Sequence, residues 1–106
     1  MMADGYPIKL VRDRVAEVDT SEGLAYRPVR SPDEHRRRLR AKLVEEVGEY
    51  LIDRSVEELA DILEAIQCLA VFDCGVPFQV VEDMASEKFA ERGGFREGVV
   101  METIER

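Results

Sequence analysis

Leu39, Leu43, Val47, Tyr50 and Leu51 recur at helical intervals and form one apolar stripe. Ser31 is a natural N-cap ahead of it, and Pro32 suits the first helical position. Asp33 and Glu34 put negative charge where the helix dipole favours it. The pattern predicts a helix to about Asp53. A second helix starts at once, because Ser55 followed by Glu58 matches a capping box. Its apolar positions, Leu59, Ile62, Leu63, Ile66, Leu69, Ala70 and Phe72, cover a wide arc, so it is expected to be central and buried on more than one side. Gly75 supplies a stop. A third helix is predicted from Pro77 to about Arg92, with Phe78, Val81, Met84, Ala85 and Phe89 as core positions, and Gly93-Gly94 ends it.

Two segments favour strands instead: Tyr6–Val11, opened by Pro7, and the tail from Gly98 to Ile104. They are expected to pair into a small sheet beside the helices. Glu17 to Arg30, with Asp19, Thr20, Ser21, Gly23 and Pro28, is a loop. Short connections make neighbouring helices antiparallel. The expected architecture is all-α, a helical bundle with a small N/C-terminal β element, as one domain over residues 1–106. Ile62, Ile66 and Leu69 exceed what a three-helix monomer covers, so a homodimer or higher assembly is expected to complete the bundle.

Composition narrows the class. The chain of 106 residues is 45% hydrophobic, too apolar for simple disorder. No run approaches the ~18 apolar residues of a membrane span, so no membrane association is expected. Fifteen Lys and Arg against 23 Asp and Glu give a net charge of −8, which repels phosphate backbones and argues against duplex nucleic acid as a partner. The opening MMADGYPIKL lacks a basic start followed by an apolar run, so a cytoplasmic location is expected. Cys68 and Cys74 are then free thiols in packing roles, and with His35 alone and expected exposed, a Cys/His zinc site is excluded. The run Arg36-Arg37-Arg38-Leu39-Arg40 is expected to be mostly a solvated face.

The acids of the first two helices carry the chemistry. Glu46 and Glu49 are three apart and share a face, as do Glu58 and Asp61. An antiparallel hairpin turning near Asp53–Ser55 sets Glu49 opposite Glu58 and Glu46 opposite Asp61. Four converging carboxylates repel one another, and a divalent cation removes that cost. An all-oxygen set selects a hard ion, Mg²⁺ first and Mn²⁺ second, and Mg²⁺ commonly bridges to substrate phosphates. The same spacing also fits a salt-bridged surface, with Glu46 paired to Lys42 and Glu58 acting only in the capping box.

Glu45-Glu46-x-x-Glu49 followed by Glu58-x-x-Asp61 resembles the signature of the all-α nucleoside triphosphate pyrophosphohydrolases, the MazG-like superfamily. Lys9-Leu10-Val11-Arg12-Asp13-Arg14, Lys42-Leu43, Lys88 and Glu91-Arg92-Gly93-Gly94-Phe95 resemble, in the same order, a small phosphoribosyl-ATP pyrophosphohydrolase-like subgroup. Val15 stands where many members have Ile-Pro. The resemblance implies Mg²⁺ on Glu46, Glu49, Glu58 and Asp61, with Glu45 orienting or deprotonating the attacking water. It implies that Arg12, Arg14, Lys88 and Arg92 hold the triphosphate, and that the products are a nucleoside monophosphate and pyrophosphate. Phosphoribosyl-ATP hydrolysis and a non-catalytic helical dimerisation role are the alternatives.

Overall fold

The computed structural model describes residues 8–105, which form four helices. These are α1 (Val15–Val18), α2 (Pro32–Asp53), α3 (Val56–Phe72) and α4 (Phe78–Arg92). The three long helices fall where their caps place them. Ser31 Oγ accepts the Glu34 N–H at 3.0 Å, and Ser55 Oγ accepts the Glu58 N–H at 3.3 Å. Arg54 adopts the left-handed conformation (φ 53°) between α2 and α3, and its N–H donates to the Tyr50 carbonyl. That single residue reverses the chain, so α2 and α3 form a tight antiparallel hairpin, the main packing of the molecule. α4 follows the left-handed Gly75 (φ 70°) and docks more lightly on α3. The short α1 has no counterpart in the hydrophobic pattern, because its four residues VAEV are too few to show a helical period.

No strand is present among the described residues. Tyr6 and Pro7 lie outside them. Residues 8–11 run as an extended arm across the α2–α3 seam, where the Arg38 guanidinium donates to the Ile8 carbonyl at 3.1 Å. The tail stays irregular, with Val99, Val100, Met101 and Ile104 at least 78% exposed. β-propensity alone does not hold two segments together, since an isolated two-stranded ribbon is marginal in water. Here the arm finds better partners on the helices.

α3 is central, as its wide apolar arc requires, but the core is thin. Leu39 (2% exposed), Ala65 and Ala70 are its buried hydrophobic residues. Val44, Leu51, Leu59 and Leu63 remain exposed on the hairpin, and Met84 and Phe89, expected in the core, are half exposed at 53% each. Phe89 instead lies under the Arg96 guanidinium, 5.4 Å from the ring centroid. The radius of gyration is 18.1 Å, well above the ~13 Å of a compact chain of this length. No helix among the described residues is long and apolar enough to cross a membrane.

Polar anchors offset the thin core. Glu34 is buried at 6% exposure in the first turn of α2. It accepts from Arg27 (2.7 and 3.0 Å), from the Arg30 N–H (2.7 Å) and from Arg38 (3.2 Å). The Arg27 guanidinium, with the other donors, holds its carboxyl well below the usual range. One carboxylate thus fastens the long loop, the start of α2 and, through Arg38, the arm. The arginine run is therefore more than a solvated face, since Arg40 also clamps Asp73 at the end of α3 with two hydrogen bonds of 2.6 and 2.9 Å. His35 is half-buried and packs its ring on Phe72, centroids 4.5 Å apart, rather than standing in solvent.

Candidate metal centre

Helical spacing and the tight turn bring the acids of α2 and α3 to one place. One carboxylate oxygen each of Glu46, Glu58 and Asp61 lie within 4.8 Å of one another. Oxygens of Glu45, Glu46 and Glu49 form a second such group, with Glu46 common to both. Glu46 is the pivot because α2 points it into the seam, where it is 4% exposed. Glu58 sits opposite, beside the carboxylates of Glu46 and Glu49.

Glu58 shows what the crowding costs. Burial, reinforced by the adjoining Glu46 and Glu49, pushes its carboxyl up to about 7. Its backbone N–H meets Ser55 as a capping box requires, but its side chain turns to the acids. Glu46 Oε2 and Glu58 Oε2 are both buried without a hydrogen-bond partner among the described residues. Buried carboxylate oxygens are rarely left so. Two orphaned oxygens within an all-oxygen donor set fit a hard divalent cation, Mg²⁺ or Mn²⁺.

Cations of the chain pair with Glu45, Glu46 and Asp61. The Lys42 ammonium lies 3.2 Å from Glu46 Oε1 and 3.4 Å from Glu45 Oε2. From the arm, Lys9 reaches Glu45 at 3.3 Å, and the Arg12 guanidinium meets Asp61 Oδ1 at 2.6 Å. The salt-bridged alternative therefore holds in part: the Lys42–Glu46 pair is present, yet it leaves the second Glu46 oxygen unanswered.

Arm and hairpin enclose a cleft of about 450 Å³. Arg12, Lys42, Glu46 and Asp61 line it together with the apolar Leu10, Leu39 and the His35–Phe72 pair, and Asp13, Glu64 and Cys68 complete the wall. The Cys68 thiol donates to Glu64 at 3.3 Å, and burial with that carboxylate pushes it up to about 11, which keeps it protonated and unreactive. Cys74 is exposed rather than packed.

The expected basic residues divide. Arg12 lies at the acids. Arg14 sits on the outer side of the arm, paired with Glu17 at 3.3 Å. Lys88 and Arg92 are exposed on α4 and do not line the cleft. Lys9 and Lys42 are the cations that motif matching did not assign to the site. Lys42 was visible from its position four residues before Glu46; nothing local marks Lys9, because its contact spans 36 residues. No family model matches this chain, and no match is found among curated proteins or solved structures.

Proposed function

We propose that this chain is a Mg²⁺-dependent nucleoside triphosphate pyrophosphohydrolase that cleaves its substrate to the monophosphate and pyrophosphate. The observation that carries this reading is the pair of buried, unpartnered oxygens on Glu46 and Glu58 within a convergent set of acids. Together with the MazG-like motif order it favours a metal centre over a solvated surface. Glu46, Glu58 and Asp61 would hold the ion, with Glu49 at the edge of the set. When bound, Mg²⁺ supplies charge neutralisation at phosphorus and an acidified water.

The protein's own groups do the remainder. Glu45, beside Glu46 and Glu49, would orient the attacking water and take its proton. Water adds at the α-phosphorus, the α–β anhydride bond breaks, and pyrophosphate leaves with the electron pair. Arg12, Lys9 and Lys42 border the space for the polyphosphate, and holding it in line is most of what such a transfer requires. Leu10, Leu39 and Phe72 would give the base and sugar an apolar contact surface. A second copy packed on the exposed Val44, Leu51, Leu59 and Leu63 would complete the bundle and leave the cleft open on the other face of the hairpin.

The test is a pyrophosphate-release screen over ribo-, deoxyribo- and damaged nucleoside triphosphates and phosphoribosyl-ATP, with and without Mg²⁺. Mg²⁺-dependent release from at least one substrate is expected, and it should vanish in Glu46→Gln. Absence of release from every substrate would remove the enzymatic reading and favour a helical dimerisation role.

A further inference from the structure

The arm that bears Arg12 does more than border the cleft. Arg12 Nη2 lies 2.6 Å from Asp61 Oδ1, one of the two oxygens of a carboxylate in the acid cluster. Lys9, three residues earlier, lies 3.3 Å from Oε2 of Glu45, the acid next to Glu46. The arm between them has few other ties: the Arg38 bond to the Ile8 carbonyl, and the half-buried Leu10 and Val11. Its closure over the seam thus depends on charges that belong to the acid cluster. The Arg12 side chain is 58% exposed, so the bond is one that solvent and ions can replace.

We propose that the arm is an electrostatic latch, with Arg12 and Lys9 as internal counter-ions of the acid cluster that a divalent cation displaces, freeing the same two side chains to take up the triphosphate. This rests on the metal-centre reading above. The physical reason is competition for one carboxylate. A divalent ion on the Asp61 carboxylate repels the guanidinium 2.6 Å from Oδ1 and neutralises the charge that holds it there. Metal and arm therefore oppose each other at Asp61. Metal and triphosphate cooperate, because the released cations are within an arm's length of the phosphates. By linkage, whatever loosens the arm must tighten the metal. The latch also keeps the cluster from standing fully uncompensated in the metal-free chain, which holds Arg12 and Lys42 against the acids at opposite edges.

The sign of one substitution separates this device from a passive phosphate contact. Arg12→Gln should bind Mn²⁺ alone about 1.5- to fivefold more tightly than wild type, the range expected for losing one exposed competing ion pair. The same variant should bind inorganic triphosphate more weakly in saturating Mn²⁺. Arg14→Gln, whose partner is Glu17 outside the cleft, should move neither value. In the wild-type chain, hydrogen–deuterium exchange of the amides of residues 8–13 should quicken when Mn²⁺ is added and slow again when triphosphate follows. Calorimetry and exchange mass spectrometry on the full chain give all four readings. Unchanged or weaker Mn²⁺ binding by Arg12→Gln, or exchange in residues 8–13 that Mn²⁺ does not quicken, would overturn the latch and leave the metal centre standing. Failure of the wild-type chain to bind Mn²⁺ at all would overturn both.

Discussion

Replacing Glu46 by glutamine separates a metal centre from a structural ion pair more sharply than any other single change. Glu46 is 4% exposed, with one oxygen 3.2 Å from Lys42 and the other unpartnered. Losing the pair with Lys42 costs about 1.3 kcal/mol at that distance in a water-like dielectric. Lys42 keeps Glu45, 3.4 Å away, which softens the loss. Against it, Glu46 shares its surroundings with the Glu45, Glu49 and Asp61 carboxylates, whose oxygens lie within 4.8 Å. Each such neighbour repels by at least ~0.9 kcal/mol in the same dielectric. The repulsion relieved exceeds the attraction lost, so metal-free Glu46→Gln should melt at or above the wild-type temperature. Breaking one partner of an isolated buried pair would instead cost about 3–5 kcal/mol. Metal affinity should respond strongly: a divalent ion about 4 Å from a carboxylate gains roughly 2 kcal/mol, so its loss weakens Mg²⁺ binding about 30-fold. Circular dichroism melts in chelator and calorimetric Mg²⁺ titrations give both numbers. A melting point more than about 10 °C lower with unchanged Mg²⁺ affinity would refute the reasoning and make Glu46 a structural residue.

Four further outcomes follow from the structure. Metal-free stability should fall as pH rises from about 4.5 through about 7, because folded Glu58 binds its proton more tightly than the unfolded chain does; Glu58→Gln should flatten that window in a series of thermal melts. Glu34 has the opposite sign: its lowered carboxyl contributes stability that is present above about 4.5 and lost as pH falls below it, so Glu34→Gln should remove the acid limb of the same profile. Leu39→Ala should cost about 2–5 kcal/mol in urea unfolding, since Leu39 is the largest side chain of a thin core at 2% exposure. Light scattering should report a mass above the 12.1 kDa of one chain, and Leu63→Lys should lower it; a wild-type monomer at micromolar concentration would show that the exposed hairpin face needs no partner.

The three long helices were legible in the sequence because their signals are local: Ser31 and Ser55 as caps, Pro32 at the first helical position, and Gly93 as a stop. The convergence of Glu46 with Glu58 and Asp61 was legible for the same reason, since it follows from spacing on two helices and one short turn. What was not legible depends on distant partners. Ile8–Val11 has strand propensity, but its conformation is set by Arg38 and by acids on both helices of the hairpin. His35 carries no mark of its contact with Phe72, which lies at the far end of α3. Phe89 has the spacing of a core residue, yet the light docking of α4 leaves it half exposed under Arg96. Lys88 and Arg92 match a motif, and motif position alone does not bring them to the cleft.

The proposed reaction cleaves one particular bond, between the α- and β-phosphates. The most direct measurement is phosphorus NMR of the products when the chain is incubated with Mg²⁺ and the triphosphate that gives the strongest pyrophosphate release. Hydrolysis by the groups assembled here should yield resonances of a monophosphate and pyrophosphate in equal amounts, absent in chelator and absent with Glu46→Gln. A diphosphate with inorganic phosphate, or product formation that persists in chelator, would contradict it.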